Sequence, residues 1–168
     1  MKKFELTAET KVFFGHTLHR IKALVSFGEV NAGDLGGWIE KEKNLSQTGD
    51  AWVSGNAMVS GNAMVSGDAM VSGNAMVSGN ARVSGNARVN RIGAIFWIGA
   101  VGSRNETTTF FKCEDGKIRV VCGCFFGDLD KFAKKVRDTH GDNQHAKVYM
   151  LAIEMAKARI GEESEEGT

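Results

Sequence analysis

The sequence contains no proline, a single tyrosine and three cysteines in 168 residues. Without proline, no bend rests on a ring-fixed φ, so tight corners fall to glycine, asparagine and aspartate. Three cysteines (Cys113, Cys122, Cys124) are too few and odd in number for a disulfide framework, and fit a reducing compartment. No apolar run is long enough to span a bilayer and no secretory leader is legible, so no membrane partner is expected. Nor does one sign of charge dominate: 21 Lys and Arg stand against 20 Asp and Glu. The last eight residues, "GEESEEGT", hold four Glu and no base, which leaves 21 basic against 16 acidic residues over 1–160. That body favours an anionic partner, and 161–168 reads as a solvated acidic tail.

What is abundant is one phrase. Val53, Val59, Val65, Val71, Val77, Val83 and Val89 recur every six residues, each preceded two places earlier by Ala51, Ala57, Ala63, Ala69, Ala75, Ala81 or Ala87. A helix turns about 600° in six residues and cannot bury both series on one stripe. In a strand, residues two apart share a face. Each Ala-x-Val is therefore a short strand with Ala and Val inward, and each Ser-Gly-Asn (Ser-Gly-Asp at Asp68) is a corner suited to positive φ. Short strands joined by corners must coil, and three sides per turn give a triangular prism whose stacked coils pair in parallel about 4.8 Å apart. The period extends to Ile95 and Val101, so nine aliphatic positions predict three coils over 49–101. Upstream, Gln47 falls where a valine is expected, and 1–48 reads as a β cap with an irregular lead-in coil.

The residue between Ala and Val points outward. Positions eighteen apart share a side, which groups Trp52, Met70 and Arg88; Met58, Met76 and Ala94; and Met64, Arg82 and Ala100. Soluble monomers avoid contiguous apolar patches, and methionine adapts well to contact surfaces. Trp52, Met58, Met64, Met70 and Met76 are therefore the expected oligomer interface, with a homotrimer favoured; the plainer alternative is that terminal segments fold over one side.

An aliphatic residue followed four places later by a small one, as in Val53-Ser54-Gly55-Asn56-Ala57, resembles the hexapeptide-repeat family of left-handed parallel β-helices. "GDLGGWIEKEKNLS" (Gly33 to Ser46) leading into "GDAWVSGNA" is similar to small repeat proteins of bacteria and their phages, labelled putative transferase or polymer-forming protein. The resemblance implies a β-helix in a bacterial or phage-infected cytoplasm. Family enzymes transfer acyl groups from a thioester cofactor with a histidine base between coils of a trimer. The strict repeat holds no His, Glu, Lys or Tyr; His16, His19, His140 and His145 lie outside it, so that chemistry does not carry over.

At the N-terminus, loose alternation around Gly15 predicts a hairpin or small sheet. After residue 101, "ETTTFFKCEDGKIRVVCGCFFG" predicts two strands joined at Glu114-Asp115-Gly116. Two helices follow: one capped by Asp128 with Leu129, Phe132, Ala133 and Val136 inward, and one with Ala146, Tyr149, Met150, Ile153 and Ile160 inward. So small a group, 102–160, is expected to pack on the solenoid through Phe96 and Trp97 as an α+β cap. The overall expectation is mainly β.

Chemistry-bearing groups concentrate in that cap. In "GSRNETTT", Arg104 with Ser103, Thr107 and Thr109 suits a phosphate or carboxylate, with Arg119 and His140 as helpers. The plain alternative is a strand-connecting loop with Arg104 solvated. Cys113, Cys122, Cys124 and His140 lack zinc spacing, and the Cys-x-Cys pair reads as two buried small residues on one strand face. Lys131, Lys134, Lys135 and Arg137 read as a solvated helix face, since interleaved aromatics are missing, so nucleic acid is not expected. The expectation is a non-enzymatic binding protein without cofactor, taking an anionic small molecule (a nucleotide signal) or a host protein as a counter-defence factor. A purely structural assembly protein and an acyltransferase are the alternatives.

Overall fold

The computed structural model describes residues 1–161, and the chain divides into two compact units, Met1–Ile92 and a second that begins at Gly93. Most of the expected acidic tail lies outside the described residues.

The first unit is a parallel β-helix. Seven two-residue strands carry the repeat: β4 (Trp52–Val53), β5 (Met58–Val59), β6 (Met64–Val65), β7 (Met70–Val71), β8 (Met76–Val77), β9 (Arg82–Val83) and β10 (Arg88–Val89). Every Ala and Val of the phrase is buried, at 0–1% exposure, as the two-residue alternation requires. Glycines at the six corners from Gly55 to Gly85 adopt φ between +59° and +68°, the region that disfavours any residue with a Cβ. Coils are joined by backbone bonds running forward, such as Trp52 N to Ala69 O and Met70 N to Ala87 O.

Three coils form, but not from the nine positions the period suggested. Strand β3 (Leu35–Ile39) lies parallel to β5, with Ile39 beside Val59, and Leu45 bridges to Val65. The interior ladders are Ile39–Val59–Val77, Leu45–Val65–Val83 and Val53–Val71–Val89. Six residues separate Ile39 from Leu45 and eight separate Leu45 from Val53. Those two extra residues shift Gln47 off the valine position, and its amide instead accepts from the backbone N–H groups of Lys3 and Phe4.

The N-terminal hairpin forms as expected. β1 (Phe4–Phe13) and β2 (His16–Ala23) turn at Phe14-Gly15, and β2 continues antiparallel to β3. This arrangement corrects Trp52: Phe4 and Phe27 meet its ring edge-on at 6.4 and 5.4 Å and leave it 3% exposed. The free end of the first coil is closed by Lys3, whose ammonium donates to Gly49 O at 3.1 Å and Ala51 O at 2.8 Å. Asn44, beside Leu45 in the first coil, donates through Nδ2 to Gly61 O and Ala63 O of the second coil.

The helix ends at Val89. Ile95 and Val101 are not a further coil; they bound β11 (Ile95–Val101), the first strand of an antiparallel meander with β12 (Glu106–Lys112), β13 (Ile118–Cys122) and β14 (Phe125–Asp128). Ala94, expected outside, is fully buried in a 3-10 turn. Four strands, not two, give this unit its own core. Phe96 stacks on Phe110 at 5.8 Å, and Phe110, Val120, Phe132, Val136, Ile153 and Ile160 lie in one cluster between sheet and helices. The helices are α1 (Leu129–His140), capped by Asp128 on Lys131 N, and α2 (Gln144–Ile160), capped by Asn143 on Ala146 N. No helix among the described residues is long and apolar enough to cross a membrane.

Candidate functional site

The coil faces present methionine and arginine. Met64 is 44% exposed, Met58, Met70 and Met76 are half-buried, and Arg82 is exposed. Trp38, Met58 and Met76 form one outer row, with the Lys11 ammonium 4.4 Å and the Arg20 guanidinium 5.6 Å from the Trp38 ring centroid. Of the expected interface residues only Trp52 is removed from the surface.

The polar groups of the second unit are distributed differently from the sequence expectation. Ser103 and Arg104 are exposed at the turn between β11 and β12, where Gly102 and Asn105 take positive φ. Thr107 is half-buried, but Thr109 is 1% exposed, set in mid-sheet between Trp97 and Val121, so it does not reach an anion at the turn. Arg119 pairs with Phe111 at the far end of β12, roughly 17 Å of strand from Glu106. The structure therefore separates Arg119 from Arg104. His140 stacks on Tyr149, with centroids 5.9 Å apart and planes at 27°.

Tyr149 was not singled out by sequence reasoning for anything but packing. A Cβ at Gly102 would run into its hydroxyl, so glycine is required there by space as well as by φ. Thr108 Oγ1 donates to Cys122 Sγ at 3.3 Å, and Cys122 Sγ reaches the Tyr149 hydroxyl at 3.7 Å. Burial, and secondarily Cys122, pushes the phenol well above its ordinary range. Cys122 and Cys124 do not share a strand face: Gly123-Cys124 forms the turn into β14, leaving Cys124 exposed. No group of three or more His, Cys, Asp or Glu with metal-holding geometry occurs among the described residues.

A polar recess of this unit lies at the opposite end of the sheet, by the β12–β13 turn. It encloses about 680 Å³ and is lined by Lys117, Ile118, Arg119, Asp128, Leu129, Asp130 and Lys157. Arg119 Nη2 donates to Asp115 Oδ2 at 2.6 Å, whereas its Nη1 is buried with no hydrogen-bond partner. The Lys117 backbone N–H, then Arg119, hold the Asp115 carboxyl below its usual range. The Lys131 N–H does the same for Asp128. The recess thus combines three cations and the first turn of α1 with two carboxylates, one of which is committed as a helix cap.

Comparison with known proteins bears on the repeat. A family described as the YdcK β-solenoid repeat matches at 51–67, 59–72, 63–79, 69–84 and 81–91. An Escherichia coli (strain K12) protein named "Uncharacterized acetyltransferase YdcK" is 34% identical over 61 residues, covering 32% of this chain and 19% of the relative. The chain thus spans about a fifth of the length of that curated relative. The matched segments and the buried ladders agree: residues 51–91 are similar to the YdcK β-solenoid repeat and fold as coils of a parallel β-helix.

Proposed function

We propose that the protein is a non-enzymatic binding protein in which the β-helix is a rigid frame and the recess beside Arg119 takes up an anionic small molecule. The observation that carries this reading is the unpaired half of the Arg119 guanidinium. A buried donor without a partner costs roughly 1–3 kcal/mol, and a side-chain shift that turns Nη1 toward a phosphate or carboxylate oxygen in the recess would recover that. Lys117 and Lys157 supply further charge, and a volume of about 680 Å³ suits a mononucleotide-sized ligand. The resemblance to small bacterial and phage repeat proteins supports the biological reading: sequestration of a host nucleotide signal as a counter-defence factor. The test is calorimetric titration with inorganic pyrophosphate and with AMP. Saturable binding that is lost in Arg119→Gln and kept in Arg104→Ala supports the recess. No binding, or equal binding by Arg119→Gln, removes it; loss only in Arg104→Ala moves the site to the β11–β12 turn.

A second reading, assembly through the repeat, is favoured by Met64, which stands exposed on a flat sheet. On that reading three chains associate along their coil faces, and Met64→Glu lowers the mass seen by native mass spectrometry to that of one chain. Acyl transfer, suggested by the relative's name, finds no histidine in the repeat, whose outward side chains are Met, Arg, Ser, Asn and the single corner acid Asp68. Of the histidines, His16 is held by Glu40 at 3.1 Å on the hairpin, and His140 is stacked on Tyr149 in the second unit.

A further inference from the structure

Helix α2 is apolar on two sides. Its inner side carries Tyr149, Ile153 and Ile160 into the core, yet Leu151 and Met155 stand 65% and 53% exposed on the outside. A helix that faces only its own core shows one apolar stripe. Leu151 borders a recess of about 490 Å³ whose lining also includes Arg137, Asp142, Ala146, Lys147, Met150 and Glu154. Lys147 and Glu154 flank that recess seven residues apart, on the same side of the helix.

This layout is its own complement. If α2 meets a second α2 running antiparallel, with the crossing near Met150 and Leu151, Lys147 of each copy comes opposite Glu154 of the other. Two ion pairs then form about one two-fold axis, and each Leu151 enters the recess of the opposite copy. A two-fold contact requires such a self-complementary patch. A parallel pairing would set Lys147 against Lys147 and Glu154 against Glu154. Glu154 meets Lys157 of its own helix through Oε1, at an exposed site where such pairs are weak and readily shared.

We propose that the outer stripe of α2, built on Leu151 and Met155 and flanked by Lys147 and Glu154, is a two-fold interface with a second copy of this chain. It is independent of the anion recess and of any contact through the repeat. The full chain is weighed by native mass spectrometry and by light scattering over a concentration series. The expected result is that Leu151→Glu halves the mass, whether from two chains to one or from six to three, with an unchanged far-UV circular dichroism spectrum because Leu151 is exposed in the single chain. Lys147→Glu also halves it, and Lys147→Glu combined with Glu154→Lys restores it. A wild-type chain that stays monomeric at the highest concentration reached overturns the proposal, as does a Leu151→Glu chain of wild-type mass. A charge-swapped double variant that stays at half mass overturns the antiparallel pairing.

Discussion

The Lys3 ammonium donates to the Ala51 carbonyl across 48 positions of sequence, at 2.8 Å, and to Gly49 beside it. In this β-helix each coil's N–H groups are satisfied by the next coil's carbonyls, so carbonyls of the first coil have no coil to serve them. Lys3 takes that place, 4% exposed, with its own pKa lowered by burial and partly restored by Asp50. A Lys3→Met chain keeps the stem and loses the donors. It should be destabilised by about 2 kcal/mol, from two buried acceptors left unpaired. Urea denaturation checks this, and a midpoint equal to wild type refutes the capping role.

Glu40 gives a pH-dependent prediction. Its Oε2 accepts from Gly61 N at 2.6 Å and lies 3.1 Å from His16 Nδ1. The Gly61 bond chiefly, then Lys41 and His16, hold its carboxyl below the usual value of 4.5. A carboxylate whose folded pKa is depressed stabilises the fold above the unfolded pKa and loses that contribution as pH falls through the folded one. Wild-type stability should therefore decline below about pH 4.5, and Glu40→Gln should decline less there while being less stable by roughly 1 kcal/mol at neutral pH. Thermal melts from pH 3 to pH 7 test the pair; parallel curves would sink the assignment.

Gly102 sits at φ +72° against the Tyr149 hydroxyl. Gly102→Ala meets both a steric and a conformational penalty, and should cost roughly 1–3 kcal/mol. Combining it with Tyr149→Phe removes the clashing oxygen and should recover part of that loss. A double variant no more stable than expected from adding the single effects would show that backbone strain alone is at work.

In the central coil, Val71 stands between Val53 and Val89 and is fully buried. Val71→Ala should cost about 2 kcal/mol. Met64→Ala, at an exposed site, should stay within about 0.5 kcal/mol for the isolated chain. Chemical denaturation at low protein concentration separates the two.

The repeat was legible because its spacing of two within a strand and six between corners admits only one inward set. Its ends were not. Six-residue counting cannot see the two residues inserted between Leu45 and Val53, since Leu45 looks like any loop leucine until Val65 is seen beside it. At the other end, Ile95 and Val101 kept the spacing by chance, while Arg91-Ile92 and Trp97-Ile98 had already replaced the Gly-Asn corners. Loss of corner chemistry marked the boundary better than persistence of aliphatic spacing. The helices α1 and α2 were legible from their caps and apolar periods. The Arg119 recess was not, because strand pairing, invisible in a single sequence, decides that Arg119 sits far from Arg104.

The three ladders repeat every eighteen residues between β4 and β10, so whole triplets of strands are interchangeable units. A gene lengthened or shortened by one such triplet keeps every corner above its neighbour, whereas a change of six or twelve rotates the later strands onto the wrong wall. Evolution, or an engineer, can therefore adjust the height of this column in fixed steps without redesigning either end.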